Sequence, residues 1–338
     1  MTMIRRWVLA HRPAGEIQPG DLKMVEEPAP DLAEGELLVR NIYLSLDPTN
    51  RIWMSDREQY MPPVAIGETM RGGGIGVVEA SRSARFAPGQ VVNPGLAGWA
   101  SHTIVHDSAA HPAPAIPGLP MTALMSVLGA TGITAWCGMT LIGEPKPGET
   151  VVVSAAAGAV GSIAAQLAKF SGARVIGIAG GQAKCDWLTG ECGLDAAIDY
   201  KRQDVAAELD RLCPDGIDVD FENVGGPIME AVYSRMNNYG RIALCGLISA
   251  YNQEGPIAGP KDFSRILMRR LLVKGFIVTD YLPRFGEAIA ALAPLVASGR
   301  LKWKTHVVDG LENAPEAVKL LFTGAHDGKL LVRVSPEP

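Results

Sequence analysis

The pattern of apolar and polar residues differs between the first part of the chain and the rest. Up to about residue 120, short apolar runs at 37–45, 74–80 and 90–93 are separated by glycine and proline, which is typical of a β-rich, barrel-like domain. The proline-rich run 111–120 is expected to be a connector. The change of pattern at this run predicts a domain boundary near residue 120.

Beyond that boundary, strand-like runs alternate with helical ones. Strands are predicted at 150–154, 174–179, 196–199, 219–222, 241–245 and 272–278, and helices at 160–171, 183–192, 204–212, 227–237 and 283–298. This alternation predicts an α/β fold with a doubly wound parallel sheet. Strands predicted at 305–308 and 330–334 have the pattern of the short runs before residue 120. We therefore expect one domain from residues 1–120 with 305–338 and another from 121–304.

Composition narrows the possible functions. The 338 residues are 47% hydrophobic and 20% charged, with a net charge of −5 and no long basic run, which argues against disorder and against nucleic acid or an anionic membrane as a partner. Five cysteines without a CxxC pair predict neither disulfides nor a zinc ribbon, and favour the cytoplasm. The uncharged stretches 121–143 and 151–168 are long enough for membrane spans, but their composition and flanking charges favour buried segments of a soluble protein.

A small-residue turn is the strongest local signal. The segment 155–161, AAAGAVG, follows the predicted strand 150–154 and opens a helix. Small residues such as Gly158, Ala159, Val160 and Gly161 allow a pyrophosphate to approach the backbone, and the helix N-terminus offers N–H groups to it. A turn that only packs a helix on the sheet is the alternative.

The end of the second strand indicates which dinucleotide is bound. A free ribose 2′-hydroxyl usually meets Asp or Glu there, but the segment 179–184 reads AGGQAK. Lys184 supplies a positive charge where a 2′-phosphate would lie, so NADPH is favoured over NADH. An ordinary solvated lysine is the alternative.

Several segments together resemble a known family. GITAW at 132–136, AAAGAVGS at 155–162, FENVGG at 221–226, GRIA at 240–243, CGLISAYN at 245–252 and GLENAP at 310–315 are similar to the medium-chain dehydrogenase/reductase superfamily. FENVGG and CGLISAYN narrow the resemblance to its zinc-independent prostaglandin/leukotriene reductases and alkenal double-bond reductases. The resemblance implies a Rossmann NADP-binding domain, a GroES-like β-rich domain built from both chain ends, and a homodimer formed through sheet edges of the central domain.

The same resemblance implies a set of cofactor residues around the small-residue turn. They are Thr134, Lys184, Tyr200, Asn223, Cys245, Gly246, Ile248, Ser249, Phe276, Ile277 and Val278. His326 stands in the tail where relatives often carry Asn. Either His326 replaces the contact that Asn makes there, or this chain binds the cofactor phosphate more weakly.

No metal site is expected. Zinc-dependent members of the superfamily resemble one another in an early cysteine and a Gly-His-Glu turn, whereas this chain has no cysteine before Cys137 and has Gly-Glu at 67–68. The histidines at 102, 106 and 111 lack the HExxH order of another class of zinc site. Without a metal, charge that develops on a carbonyl oxygen needs a hydrogen-bond donor. Tyr251 is the catalytic candidate, because its phenol is protonated at neutral pH and the resemblance implies that it lies beside the nicotinamide; the alternative is that it only packs against the cofactor.

Three residues of the first domain match segments that line the substrate site in the family. They are Arg51, Tyr60 and Trp99, each with a structural role as the alternative. Relatives often carry tyrosine where this chain has Thr49, which leaves the substrate range open.

The predicted activity is the NADPH-dependent reduction of the C=C bond of small hydrophobic α,β-unsaturated ketones and aldehydes. Hydride goes to the β-carbon, and solvent protonates the α-carbon. Three alternatives remain open: a quinone reductase, an enzyme that oxidises allylic alcohols, and an NADP-binding regulatory protein that has lost catalysis.

Overall fold

The computed structural model describes residues 2–113 and 115–338. Met1 lies outside the described residues, as does Pro114 within the predicted connector. The chain forms two compact units. The terminal unit consists of Met1–Met125, Tyr251–Glu254 and Thr305–Pro338, and the central unit consists of Ser126–Ala250 and Gly255–Lys304.

The described residues form fifteen strands and ten α-helices. The strands are β1 (Met3–Leu9), β2 (Leu22–Pro28), β3 (Glu36–Ser45), β4 (Gly74–Ser81), β5 (Val91–Asn93), β6 (His102–His106), β7 (His111–Pro112), β8 (Thr150–Ser154), β9 (Arg174–Ala179), β10 (Ala196–Asp199), β11 (Ile217–Glu222), β12 (Met236–Leu244), β13 (Leu272–Gly275), β14 (Thr305–Asp309) and β15 (Lys329–Arg333). The helices are α1 (Thr49–Trp53), α2 (Ala130–Gly138), α3 (Gly161–Phe170), α4 (Gln182–Gly190), α5 (Val205–Leu212), α6 (Gly226–Tyr233), α7 (Ser264–Arg269), α8 (Phe285–Ala297), α9 (Ala314–Ala317) and α10 (Leu320–Thr323). Short 3₁₀ turns occupy Met121–Ala123, Ile248–Ala250, Val278–Arg284 and Leu311–Asn313, and a π turn occupies Met139–Gly143.

The terminal unit is β-rich, as predicted. Its main sheet has the order β14-β15-β3-β4-β5-β7, with β6 also paired to β3, and β1 and β2 form a separate antiparallel pair. The long strand β3 is buried along most of its length, because its apolar residues reach core clusters on both faces of the sheet. At the bulge in β3, a Cβ on Gly76 would lie 2.4 Å from the carbonyl oxygen of Arg40, so the close approach of β4 requires glycine there.

The central unit is a doubly wound parallel sheet, which confirms the predicted Rossmann fold. Its order is β10-β9-β8-β11-β12-β13, and all five strand pairs are parallel. The chain starts in the middle at β8, builds outward through β9 and β10, and then returns to add β11 on the other side of β8. The carboxyl ends of β8 and β11 are therefore neighbours from which the crossovers leave in opposite directions, the usual position of a ligand site in such sheets.

Most predicted elements differ slightly in their bounds from the structure, and for two of them the strand pairing gives the reason. The helix predicted at 227–237 ends at Tyr233, because Met236 pairs with Ile217 and starts β12. The strand predicted at 272–278 ends at Gly275, because Gly275 pairs with Leu244, the last residue of the neighbouring strand. The chain then turns, with the Asp280 amide donating to the Ile277 carbonyl (3.1 Å), so that residues 276–278 are not a strand and the next helix begins at Phe285.

The two long uncharged stretches of the sequence are divided among several elements. Residues 121–143 contain a 3₁₀ turn, α2 and the π turn, and residues 151–168 run from β8 through the small-residue turn into α3. Across residues 2–113 and 115–338, no helix is both long enough and apolar enough to cross a membrane.

An ion pair made by a buried lysine joins the last strand of the terminal unit to the loop that follows β3. Lys329 is 1% exposed, and its Nζ lies 2.8 Å from the carbonyl oxygen of Leu46 and 2.5 Å from Oδ1 of Asp47. Asp47 in turn accepts a hydrogen bond from the Ser45 hydroxyl. A buried ammonium is tolerated only when such partners replace the water that it has lost.

Replacing Lys329 should destabilise the protein because the change leaves Asp47 and the Leu46 carbonyl without their donor. We expect Lys329→Ala to lower the free energy of unfolding by about 2–3 kcal/mol, measured by urea denaturation. Lys319→Ala is the matched control, since Lys319 pairs with Glu316 on the surface and its loss should cost less than about 0.5 kcal/mol. Equal effects of the two substitutions would contradict this account.

Candidate active site

The turn between β8 and α3 brings backbone N–H groups to the carboxyl edge of the central sheet. Ala155 has a φ of 49°, the left-handed region that non-glycine residues rarely adopt, and the Gly158 amide donates back to the Ala155 carbonyl at 2.9 Å. A Cβ on Gly161 would lie 2.3 Å from that same carbonyl oxygen. The tight start of α3 therefore requires glycine at 161, and the predicted residues 158–161 all lie in this turn.

A second group of residues lies where β9 and β10 end. Gly181, at φ 104°, precedes α4, and its amide donates to Oδ1 of Asp199 at 2.7 Å. The Lys201 amide donates to the same oxygen at 3.1 Å. Asp199 is 2% exposed, so its carboxylate is turned into the protein to hold this corner rather than offered to a ligand.

The surface above this corner carries two lysines and a tyrosine. A Cβ on Gly180 would lie 2.9 Å from the Tyr200 ring and 3.0 Å from Cε of Lys201, so both side chains cover that glycine. Lys184, half-buried, stands in the first turn of α4. The sequence predicts Lys184 and Tyr200 as cofactor residues but not Lys201. Its position two residues beyond β10 is the signal that could have identified it, since parallel strands end at one edge.

A third group lies at the end of β11. The side-chain amide of Asn223 donates to the Ser154 carbonyl at 2.7 Å, and its backbone amide donates to the Ser154 hydroxyl at 2.8 Å. The following loop is tied to the same strand end, because the amides of Cys245 and Gly246 both donate to the Glu222 carbonyl. The Ile248 amide reaches the Asn223 carbonyl, and the Ser249 amide reaches the Val224 carbonyl. The structure thus brings together the predicted residues Asn223, Cys245, Gly246, Ile248 and Ser249.

Cys245 lies in this group as a neutral thiol. Burial, and then the charge of Glu222, raise its pKa to about 12. Because the thiolate is the reactive form of cysteine, Cys245 is not poised as a nucleophile.

The remaining cofactor candidates of the central unit differ in exposure. The Thr134 hydroxyl donates to the Ala130 carbonyl one turn earlier in α2. Phe276 is buried and packs edge to face on Phe221, with ring centroids 6.3 Å apart. Ile277 and Val278 are half-buried in the turn after β13. Phe276 therefore has an evident packing role, whereas its two neighbours keep part of their surface accessible.

Tyr251, the catalytic candidate, belongs with the terminal unit although the chain on either side of 251–254 belongs to the central one. Nη2 of Arg57 lies 3.3 Å from the carbonyl oxygens of both Tyr251 and Gln253. These two hydrogen bonds attach the short segment to the loop after α1. Arg57 was not identified from the sequence, because no local pattern links it to residues nearly two hundred positions away.

The three substrate candidates have different surroundings. Arg51 is 2% exposed, and its guanidinium donates to the carbonyls of Pro13 and Gly15 and to the Ser55 hydroxyl. Trp99 is fully buried. Their burial favours the structural alternative for both. Tyr60 is 43% exposed, with its hydroxyl 2.6 Å from that of Thr49, so it is the member of the three that offers surface.

The tail histidine and two of the histidines considered for metal binding, His102 and His106, have protein partners. Nδ1 of His326 lies 3.0 Å from the Leu320 carbonyl oxygen, beside the end of α10. His102 lies 3.2 Å from a carboxylate oxygen of Glu79, and burial lowers its pKa. Within residues 2–113 and 115–338, no three His, Cys, Asp or Glu side chains are grouped as a metal ion would require.

Comparison with known proteins identifies the class. Residues 5–112 match the family described as the N-terminal domain of oxidoreductase, and residues 159–295 match the zinc-binding dehydrogenase family. The NADPH-dependent curcumin reductase of Escherichia coli (strain K12) is 39% identical over 336 residues, which cover 98% of this chain and 97% of that protein. The 2-alkenal reductase (NADP(+)-dependent) of Nicotiana tabacum is 38% identical over 313 residues, or 89% and 88% of the two chains.

A solved structure agrees over the whole chain. CurA from Vibrio vulnificus, crystallised with NADPH, matches with a TM-score of 0.93 at 41% identity, covering 98% of this chain and 100% of that one. The chain belongs to the zinc-independent medium-chain dehydrogenase/reductase family. The resemblance noted from the sequence is thereby confirmed, and the protein is an oxidoreductase.

Proposed function

We propose that this protein is an NADPH-dependent reductase that delivers hydride to the β-carbon of α,β-unsaturated ketones and aldehydes. The observation that carries the proposal is the carboxyl edge of the central sheet, where a glycine-dependent turn, two lysines and the Asn223 segment occupy the ends of successive parallel strands. The names of the curcumin and 2-alkenal reductases support the same chemistry for this chain.

The residues present fit NADP(H). The turn at 158–161 would hold the pyrophosphate, because Gly161 permits the tight helix start and a helix N-terminus favours an anion. A Cβ on Gly181 would meet nothing within 4 Å, so there is open space beside Lys184 and Tyr200. We assign the 2′-phosphate to this corner, where Asp199 is turned inward and Lys184 and Lys201 supply charge.

When bound, NADPH supplies the hydride. The protein's own task is to stabilise the negative charge that develops on the carbonyl oxygen, and we assign this to the Tyr251 phenol as hydrogen-bond donor. Arg57 positions that residue through its backbone carbonyl. Asn223, Cys245, Gly246, Ile248, Ser249, Ile277 and Val278 are proposed to line the nicotinamide half, and His326 a tail contact. Tyr60 beside Thr49 is proposed to contact the substrate.

The direct test is a substrate panel. Purified protein is mixed with NADPH and with enones, 2-alkenals or quinones, and the absorbance of the reduced nicotinamide is followed. Oxidation with enones and alkenals but not with quinones supports the proposal. Turnover of quinones alone would replace it with the quinone reductase, and binding without turnover would replace it with the regulatory protein. Allylic alcohols with NADP⁺ test the reverse direction.

Lys184→Ala should discriminate between the two nicotinamide nucleotides. We expect the KM for NADPH to rise about tenfold or more, with the KM for NADH changed less than about twofold, because only NADPH carries the 2′-phosphate. Lys201→Ala should act in the same sense. Lys146→Ala is the control, since Lys146 lies before β8 at the opposite end of the sheet. An equal rise for both nucleotides would remove the phosphate assignment.

Tyr251→Phe should depress turnover more than binding. Loss of one donor to a developing oxyanion costs about 100-fold in kcat, while the KM for NADPH should change by less than about threefold. Tyr239→Phe, at a 66% exposed tyrosine of the central unit, is the matched control and should be silent. Unchanged kcat in the Tyr251 variant would leave that residue a packing role only.

The proposed partner is a second copy of this chain. All four residues of β13 are exposed, and this strand lies at an edge of the central sheet. Beside it, α7 has no buried residue, and Phe263, Leu267 and Met268 are 72%, 71% and 63% exposed. An apolar, unpaired sheet edge is rarely left open to water, and a two-fold axis would pair it with itself.

A charge at this edge should separate the copies. We expect wild-type protein to sediment as a dimer and Leu267→Glu to sediment as a monomer with its fold retained, because an ionised carboxylate cannot be buried in an apolar interface. Leu96→Glu, at a half-exposed leucine of the terminal unit, should stay dimeric. A monomeric wild type, or a dimeric Leu267 variant, would refute the assignment.

A further inference from the structure

A carboxylic acid lies inside the apolar core of the central sheet. Asp220, in the middle of β11, is fully buried and aligns with Val152 on β8 and Ile242 on β12. Residues aligned across parallel strands share a face, and Val152 and Ile242 belong to the core cluster that includes Leu209 and Val232 of the covering helices. Within the described part of the chain, neither oxygen of Asp220 has a hydrogen-bond partner.

A second buried acid on the same face is well hydrogen-bonded. Glu222 lies two residues further along β11, so its side chain points to the same side as that of Asp220. Its Oε1 accepts from the Ser154 hydroxyl at 2.7 Å, from the Gly225 amide at 2.9 Å and from the Val224 amide. Its Oε2 has no partner among the described residues.

This contrast decides which acid is ionised. Burial, and then the nearby Glu222, raise the pKa of Asp220 well above its ordinary value. Burial also raises the pKa of Glu222, but its hydrogen bonds with Ser154 and the 223–225 backbone act in the opposite direction. Hydrogen bonds donated to a carboxylate favour its charged form, and only Glu222 receives them. Of the two acids, Glu222 is the one that gives up its proton first.

Three other titratable side chains near this core are neutral, and the arginines that act on two of them, Arg174, Arg235 and Arg265, do not act on Asp220. The Cys213 thiol, after α5, and the Cys245 thiol, after β12, have pKa values raised by burial to about 11 and about 12. The Tyr233 hydroxyl of α6 donates to the Asp262 carbonyl. β8 contributes the Ser154 hydroxyl. Glu222 is therefore the charged neighbour that acts on Asp220 within the described residues.

We propose that Asp220 keeps its proton at neutral pH, so that Glu222 alone is charged, and that this single charge positions the turn after β11 and the 245–249 loop. The carboxylate of Glu222 holds the amides of Val224 and Gly225, and the carbonyls of Asn223 and Val224 in this turn accept from the amides of Ile248 and Ser249 in the loop. Glu222 is thus a positioning residue, and the consequence for NADPH rests on the proposed function of these two segments.

The proton on Asp220 makes both stability and nucleotide affinity depend on pH. Between the ordinary Asp pKa of about 4 and its raised value in the folded protein, the unfolded chain is ionised at this position while the folded one is not. The folded state therefore loses stability as pH rises through that range. Once Asp220 ionises in the folded state, a second buried negative charge opposes that of Glu222 and disturbs the turn.

Asp220→Asn, which keeps the shape without a proton to lose, provides the test in the full-length protein. From pH 5 to 10, we expect the Tm of the wild type to fall relative to that of the variant, and the wild-type Kd for NADPH to rise about tenfold at the alkaline end while the Kd of the variant does not. Parallel curves for both proteins would overturn the proposal.

Infrared difference spectroscopy tests the proton without any nucleotide. The wild type should show the C=O band of a buried protonated carboxyl at neutral pH, and Asp220→Asn should lack it. In Glu222→Gln the pH at which this band disappears should fall, because the like charge has been removed. A purely structural Glu222 would leave that pH unchanged and so refute the proposal.

These readouts separate two kinds of failure. If wild-type protein binds no NADPH but shows the infrared band, the proposed function fails and the proton assignment stands. If NADPH binds and the band is absent, the assignment fails and the function stands. Should Glu222→Gln fail to fold, the Asp220→Asn measurements still decide the question.

Discussion

The site depends on one topological constraint: the chain enters its parallel sheet in the middle and builds outward in both directions. Because β9 and β11 lie on opposite sides of β8, the segments that follow β8 and β11 leave in opposite directions and their strand ends remain open. The backbone groups at those ends have no further ladder to join, so they must be satisfied by turns, by side chains or by a ligand. The small-residue turn after β8 and the Asn223 segment after β11 lie at this opening for that reason.

Charge at this edge is arranged by burial as much as by residue type. Asp199 is buried and one of its oxygens accepts from two backbone amides, while Lys184 and Lys201 follow β9 and β10 at the same corner. At the end of β11, the burial of Glu222 is compensated by hydrogen-bond donors, while Asp220, two residues earlier on the strand, accepts no hydrogen bond from the described residues. The same edge therefore has two lysines at one corner and a buried, hydrogen-bonded acid at the end of β11.

The fold could be predicted largely from periodicity. Apolar runs of four to six residues alternate with helical runs in the central unit, and the short punctuated runs at both chain ends predict a β-rich unit. The predictions failed where local pattern and partner strand disagreed. Residues 276–278 are apolar enough for a strand, yet β12 ends opposite Gly275, and a strand without a partner does not continue. Residues 234–237 extend a helical pattern, yet Met236 pairs with β11.

By itself, the sequence determined the order of elements, the small-residue turn at 155–161 and the lysine that stands in place of an acidic residue, because each is a local property of adjacent residues. Only the tertiary structure decided which of the chosen side chains remain accessible: Arg51 and Trp99 are buried, while Tyr60 is exposed. It also brought Arg57 within hydrogen-bond distance of the Tyr251 carbonyl and Lys201 close to Gly180. In the sheet, it aligned Asp220 with Val152 and Ile242 on the neighbouring strands. Burial and contacts between distant residues depend on how strands align across the sheet, and no stretch of sequence carries that alignment.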